Sequence, residues 1–379
     1  MKICFMGAGA LGSTIGGVLT EGGNEVWLID SYQAHVDAMN SAGLRMLDGD
    51  AERTVRVNAR TSCEGIGRAD MVIVLVKSFH TRQAIEAARP MIGPDTMVMS
   101  IQNGLGHEEI IAEVIGRGHV LAAKTYVGGM LLGPGHVRIG TRGKETIIGE
   151  LDGRITERVK AVAAAFNRSE LPAEVSPNIM GVMWDKLLVN VAGGALTAIT
   201  KLTYGGLYSL PALEACSLAA ISEAMAVARA SGVRLSTTDP REAWEKASAG
   251  LPPQFKTSML QSLEKGSVTE VDFIHGAVVA GGARCGVPTP VNSTLVACVK
   301  GIEYAMTDYP GKVIPSSSSW PGLSGPPPQA PAAIDGPDKP GHDEGEGRLT
   351  TPDTPLPAPH ALVAAALAVD PRSSEGKKP

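Results

Sequence analysis

A chain of 379 residues with 44% hydrophobic and 19% charged side chains can build two domains, each with its own core. Its net charge of −5 gives no electrostatic motive for binding nucleic acid or an anionic membrane. Five cysteines, scattered and never in a CxxC pair, favour reduced thiols in the cytoplasm over a disulfide framework or a zinc site. No apolar run is expected to reach membrane-spanning length.

The start, MKICFMGAGALGSTIGGVL, has one lysine and five glycines by position 17, a poor core for a secretory signal. It reads better as a strand, KICFM (2–6), turning through GAGALG into a helix near 10–22. Strand-length apolar runs then alternate with helix-length amphipathic stretches. The strands are EVWLI (25–29), MVIVLV (71–76) and MVMSI (97–101); the helices lie near 32–42, 80–91 and 107–116. This is the pattern of βαβ units and a parallel sheet. Two β-rich segments, 44–60 and 119–150, interrupt it, and the second reads as antiparallel.

Beyond about residue 153 the pattern becomes helical. RITERVKAVAAAFNRS is an amphipathic helix, followed by a short strand near 173–175. One long helix is expected from Ser176 as cap and Pro177 in its first turn. Further helices are expected at 209–232, 239–249, 256–265, 270–285 and 291–307. The last 69 residues hold 14 of the 26 prolines, too many for helices or central strands, and read as a disordered tail. The expected organisation is an α/β Rossmann-like dinucleotide-binding domain (1–170), an all-α domain (171–309) and a Pro/Ser/Gly-rich tail (310–379).

The glycine-rich loop carries the first chemistry. Gly7, Gly9 and Gly12 have GxGxxG spacing between a strand and a helix, with Ala10 and Leu11 completing the loop. Gly7 allows the tight turn, Gly9 lets backbone approach a pyrophosphate, and Gly12 lets helix and strand pack closely. Asp30 ends the second strand. A carboxylate there accepts hydrogen bonds from ribose hydroxyls and repels a 2′-phosphate, a lean toward NADH over NADPH. Asp30 could equally cap the helix beginning near Tyr32. Ligands of open α/β sheets collect at the carboxyl ends of strands, which makes Lys77 and Asn103 candidates for the cofactor groove. A solvated lysine and a turn asparagine are the plain alternatives.

Reducing a ketone with hydride needs a proton donor for the developing alkoxide. Lysine serves if burial lowers its pKa. In WDKLLVN (184–190), Lys186 and Asn190 lie one turn apart on an otherwise apolar helix. A second polar cluster, TSMLQSLEKGSVTEVDFIHG (257–276), contains Ser258, Glu270 and Asp272; Asp272 fits a helix-capping role.

Taken together, GAGALG, VLVKS, SIQNGLG, WDKLLVN, SMLQ, TEVDFIHG and GVPTPVNSTL resemble the ketopantoate reductase (2-dehydropantoate 2-reductase) family over roughly residues 1–307. The resemblance implies a Rossmann domain, a helical domain and a cleft between them in which NAD(P)H reduces a 2-oxo acid to a 2-hydroxy acid. It implies Lys186 as general acid and Glu270 as an orienting carboxylate touching substrate and cofactor. Asn103, Asn190 and Ser258 would hold the substrate or nicotinamide, and Lys77 would lie on the cofactor side. A homodimer is the assembly to test, and no metal is implied. Two positions depart from the family: Gly194 stands where a second asparagine is usual, and His275 stands where asparagine is usual. A related dehydrogenase acting on a 3-hydroxy acid or opine, and a catalytically silent dinucleotide-binding protein, are the competing readings.

Overall fold

In a computed structural model the described residues are 1–140 and 144–306. The expected tail at 310–379 lies outside them. The strands are β1 (Lys2–Met6), β2 (Glu25–Ile29), β3 (Leu44–Asp48), β4 (Ala51–Val55), β5 (Asn58–Arg60) and β6 (Met71–Val74). They continue as β7 (Met97–Ser100), β8 (Val120–Thr125), β9 (Gly129–Gly133), β10 (His136–Ile139), β11 (Thr146–Gly149) and β12 (Ala173–Val175). The helices begin with α1 (Ala10–Glu21), α2 (Gln33–Ala42), α3 (Thr81–Ala88), α4 (His107–Ile115), α5 (Glu157–Arg168) and α6 (Ile179–Thr200). The helical part is completed by α7 (Tyr204–Tyr208), α8 (Pro211–Ala230), α9 (Pro240–Ser248), α10 (Ser258–Glu264), α11 (His275–Cys285) and α12 (Pro290–Ala305).

Eight strands form one sheet in the order β12-β11-β8-β7-β6-β1-β2-β5, parallel at every pairing except β11 with β8. Strands β1, β6 and β7 are buried along nearly their whole length, which explains their continuous apolar sequence in place of an alternating one. The strand order reverses between β1 and β6, so a crevice opens there at the carboxyl ends of the strands. The glycine-rich loop follows β1 and therefore lies at that crevice.

The two β-rich interruptions divide between two sheets. β5, β8 and β11 join the main sheet, while β4-β3-β10-β9 form a second, four-stranded one. The expected antiparallel character of 119–150 is thus only partial: β8 runs parallel to β7, and β10 runs parallel to β3. β12 extends the main sheet from beyond α5, at the entrance to the helical part.

α6 is the central pillar of that part. Leu187, Leu188, Val191, Ala192, Ala195 and Ala198 are fully buried along it, among α8, α9, α10 and α12. Its start differs from expectation. Asn178 is the cap residue, and the Ser176 hydroxyl instead accepts a hydrogen bond from the Asn178 N–H at 3.0 Å. Two helices, α6 and α8, are in fact long and apolar enough to cross a membrane, with mean hydropathy 1.3 each. This corrects the expectation of none. The apolar length of α6 is explained by burial, since it is surrounded by other helices.

The expected helix at 270–285 is two pieces. A single 3₁₀ turn covers Val271–Phe273, the chain kinks at Ile274, and α11 begins at His275. Glu270 is the cap residue of the 3₁₀ turn, its carbonyl accepting the Phe273 N–H at 3.0 Å. Asp272 does not act as the expected cap; it is ion-paired with Lys300 at 2.6 Å.

Close packing of α1 on β1 depends on Gly12, where an added Cβ would stand 2.1 Å from the Gly7 carbonyl oxygen. Gly12→Ala is therefore expected to destabilise the protein by about 2–3 kcal/mol. A urea unfolding midpoint that does not move would contradict this packing.

Candidate active site

The loop after β1 uses its glycines in three different ways. Gly7 has φ +105°, and a Cβ there would stand 2.7 Å from the Val76 backbone nitrogen, so the turn requires glycine. Gly12 is crowded, as described. A Cβ on Gly9 would meet nothing within 4 Å, so this position faces open space at the amino end of α1. An open backbone cradle at a helix N-terminus fits the pyrophosphate of a dinucleotide. A groove of about 460 Å³ opens in front of it. Gly7, Gly9, Ala10, Leu11, Gly12 and Asp30 line one side; Lys77, Asn103 and Glu270 line the other.

Asp30 is not the cap residue of α2, which is Tyr32; its carboxylate instead ties two backbone segments together. One carboxylate oxygen accepts the Tyr32 N–H at 2.9 Å, at the cap of α2. The other accepts the Ala8 N–H at 2.9 Å, tying the end of β2 to the glycine-rich loop. The carboxylate still borders the groove and a neighbouring hollow of about 640 Å³.

Glu270 reaches this groove from the helical part. Its carboxylate accepts hydrogen bonds from the Ser78 backbone N–H at 3.1 Å and the Ser78 hydroxyl at 2.6 Å, with the Lys77 ammonium 3.6 Å away. Nearby, the Leu105 N–H donates to the Phe273 carbonyl at 2.9 Å. Gly104, with φ +96°, is pressed against that carbonyl, only 2.4 Å from where a Cβ would stand. The turn after β7 and the kinked segment after Glu270 are thus in direct backbone contact. Gln102 braces the turn by donating to the Val76 carbonyl at 2.7 Å and the Thr81 hydroxyl at 2.9 Å, leaving Asn103 exposed in the groove.

A buried lysine not singled out in the sequence lies behind this turn. Lys124, near the carboxyl end of β8, donates from its ammonium to the carbonyls of Gln102 at 2.7 Å and Gly104 at 3.2 Å. Burial pulls its pKa down, the Lys186 charge adds to that effect, and Glu108 and Glu270 oppose it. Glu108, also buried, is pushed up by desolvation. His107 stacks on Phe273 with ring centroids 4.8 Å apart, and burial followed by the Lys124 charge lowers it to about 3. The available signal was a lysine inside the apolar run VLAAKTYV. Ser78 and Tyr126 were likewise not anticipated; neither residue type carries a distinguishing pattern at a strand end.

Lys186 and Asn190 emerge from α6 on one side, both half-buried. The Lys186 ammonium lies 4.7 Å from the centre of the Tyr126 ring, a cation–π geometry. Its pKa is lowered first by burial and second by the Lys144 charge. Lys186 and Glu270 share no hydrogen bond or ion pair; Glu270 is held instead by Lys77 and Ser78. Asn190 lines a cavity of about 80 Å³ with Ser258, Gly194, Thr257 and Met259. Its amide nitrogen is buried there without a hydrogen-bond partner. Ser258 opens α10, where the Thr257 hydroxyl caps the helix by accepting the Leu260 N–H at 3.2 Å.

A glycine-rich cradle on a doubly wound sheet, facing polar groups from the helical part, is the arrangement of a nicotinamide-dependent oxidoreductase. Comparison with known proteins is specific. Residues 3–153 match the family described as Ketopantoate reductase PanE/ApbA, and residues 178–303 match its C-terminal counterpart. The chain is 35% identical to a 2-dehydropantoate 2-reductase of Halobacterium salinarum, over 79% of this chain and 98% of that one. A crystal structure of a PanE/ApbA family ketopantoate reductase from Ralstonia eutropha superposes with TM-score 0.74 at 36% identity, covering 81% of this chain and 99% of that one. The ternary structure of D-mandelate dehydrogenase with NADH and anilino(oxo)acetate superposes equally, with TM-score 0.74 at 26% identity, over 81% and 99%. The chain belongs to the ketopantoate reductase family of NAD(P)H-dependent oxidoreductases.

Lys124→Met would leave two buried carbonyls without their charged donor. A loss of about 2–3 kcal/mol in unfolding free energy is expected, together with weaker dinucleotide binding because the Asn103 turn is no longer braced. Unchanged values of both in urea unfolding and cofactor titration would contradict that role.

Proposed function

We propose that this protein reduces a 2-oxo acid to the 2-hydroxy acid with a reduced nicotinamide cofactor, 2-dehydropantoate being the first candidate substrate. The observation that carries this reading is the half-buried, pKa-lowered Lys186 on the same face of α6 as Asn190, beside a cavity that also contains Ser258. The bound cofactor supplies the hydride. Gly7 through Gly12 hold its pyrophosphate, and Lys77, Asn103 and Glu270 border the groove toward the reacting end. Asn190 and Ser258 hold the substrate. Lys186 gives its proton to the carbonyl oxygen as negative charge develops there. Glu270, fixed by Ser78 and Lys77, orients substrate and cofactor across the cleft. Residues 1–170 then act as the cofactor domain and 171–309 as the substrate domain of a cytoplasmic enzyme; the expected homodimer is read directly by light scattering.

The lean toward NADH is part of this proposal. Asp30 places negative charge where the ribose 2′ position is expected, which disfavours a 2′-phosphate. A second reading, reduction of an aryl 2-oxo acid, is favoured by the likeness to D-mandelate dehydrogenase and by the Tyr204, Phe255 and Met259 side chains around the cavity. Following loss of reduced cofactor over a panel containing 2-dehydropantoate and benzoylformate, with NADH and NADPH in parallel, separates the two. No turnover of any 2-oxo acid with either cofactor would sink the proposal.

Lys186→Ala is expected to lower kcat by about 10²–10⁴-fold while dinucleotide binding, followed by fluorescence titration, persists. The pH dependence has a definite sign. The protonated amine is the donor, so reduction declines as pH rises through the Lys186 pKa, at a midpoint below the ordinary 10.5. Oxidation of the hydroxy acid, which needs the neutral amine, rises over the same range, and both limbs disappear in Lys186→Ala. Asp30→Asn keeps an acceptor for the loop but removes the charge. It is expected to shift the kcat/KM ratio toward NADPH by about tenfold; a ratio that stays put means that Asp30 serves the loop and α2 alone.

A further inference from the structure

The two positions that depart from the family pattern face each other. A Cβ on Gly194 would stand 4.0 Å from the His275 Nε2, with the Met259 methyl at 3.4 Å as the other neighbour. His275 is fully buried at the start of α11, and its Nε2 has no hydrogen-bond partner. Its protonation is fixed from behind. The Asn292 amide nitrogen donates to the Ala220 carbonyl at 2.9 Å and to the Glu223 carboxylate at 2.7 Å. The Asn292 oxygen is therefore the acceptor that faces His275 Nδ1 at 2.9 Å, and Nδ1 carries the proton. Burial holds the ring neutral, with a pKa of about 4. Nε2 is left as a bare acceptor directed at the space that Gly194 leaves empty.

One helical turn earlier on α6, the Asn190 amide nitrogen is a buried donor that also lacks a partner. Asn190 and Gly194 line the same cavity, whose volume of about 80 Å³ exceeds the ~10–15 Å³ that a single water requires. His275 does not line the cavity itself, but its Nε2 is the polar atom nearest a Cβ on Gly194, which does. An unpaired donor on one lining residue and an unpaired acceptor next to another are complementary to a hydroxyl group, which accepts one hydrogen bond and donates one. An apolar substituent in the same place would leave both groups unsatisfied.

We propose that Gly194 and His275 form a hydroxyl-recognition subsite, in which the hydroxyl of the 2-oxo acid donates to His275 Nε2 and accepts from Asn190. The imidazole reaches the substrate through the gap at Gly194, so the two departures compensate each other. His275 is then a specificity-determining residue, and the enzyme selects 2-oxo acids with a hydroxyl near the oxo group over analogues with hydrogen in its place. This inference rests on the 2-oxo acid reductase reading above.

The test compares kcat/KM for 2-dehydropantoate with that for its deoxy analogue, 3,3-dimethyl-2-oxobutanoate. The folded wild-type protein is expected to prefer the hydroxylated acid by about tenfold or more. His275→Phe, which removes the acceptor while keeping a ring, is expected to bring that ratio close to one. Gly194→Ala provides a second variant in case the first does not fold, because its methyl makes only ordinary contacts and favours the helix. Its methyl screens Nε2 and should also reduce the ratio. In His275→Phe/Gly194→Asn, the new amide restores a polar partner in the gap, and the ratio should recover. A wild-type ratio near one, or a ratio unchanged in both single variants, overturns the subsite and leaves the reductase reading intact. If neither acid is reduced but benzoylformate is, the subsite alone is overturned; if no 2-oxo acid of the panel is reduced with either cofactor, the reductase reading fails and the subsite fails with it.

Discussion

The geometry of this site depends on a carboxylate held on the far side of the cleft from its own helix. Glu270 belongs to the helical part, but its Oε1 accepts two hydrogen bonds from Ser78, in the short turn that follows β6. A carboxylate with two donors and a nearby ammonium is satisfied and fixed, so it is a good reference point for whatever enters the groove. Two further features accompany the same contact. The chain kinks at Ile274, between the 3₁₀ turn capped by Glu270 and α11, and the Phe273 carbonyl lies against Gly104 and Leu105. The Asn103 turn is thereby clamped from the helical side, while Lys124 and Gln102 brace it from the sheet.

Two lysines near one cleft create a shared electrostatic problem. Lys124 is buried among backbone carbonyls, and Lys186 lies against the Tyr126 ring under partial burial. Each is desolvated, and the charge on Lys186 adds to the lowering of Lys124. Glu108 and Glu270 counter this for Lys124, the residue whose task is to hold the loop in its charged, three-donor form. For Lys186 the second cause is another cation, Lys144, and the Tyr126 ring is the neighbour that favours its charge. Burial therefore lowers both lysines, Lys124 to about 8, while the carbonyls of Gln102 and Gly104 and the two carboxylates favour the charged form of Lys124.

Much of this was legible because periodicity and spacing carry it. The apolar runs of β1, β6 and β7 and the GAGALG turn announced a parallel sheet with a dinucleotide crevice, and the low polarity around Lys186 marked an unusual helix face. Contacts between distant segments were not legible. Ser78 is an ordinary serine until Glu270, 192 positions away in sequence, is placed on it. The break between Val271–Phe273 and α11 was hidden because VDFIHGAVVA has no proline and its glycine lies past the kink. Membrane-length apolar helices escaped notice because scattered charges interrupt α6, whose core positions still average to high hydropathy.

Gly194 shows most clearly what the three-dimensional arrangement adds. In the sequence it reads as a loss, glycine where the resemblance implies a second asparagine. In the folded chain that absence leaves a passage, since the groups nearest a Cβ there are the flexible Met259 methyl and the unpaired nitrogen of His275. A side chain at residue 194 would stand between the cavity and His275, and without Asn292 the imidazole tautomer would be free to change. Three residues on three helices, α6, α11 and α12, thus have to be read together before any of them has a meaning. Positions that break a family pattern are therefore best judged in pairs that meet in space, because a loss at one can be the access route for the other.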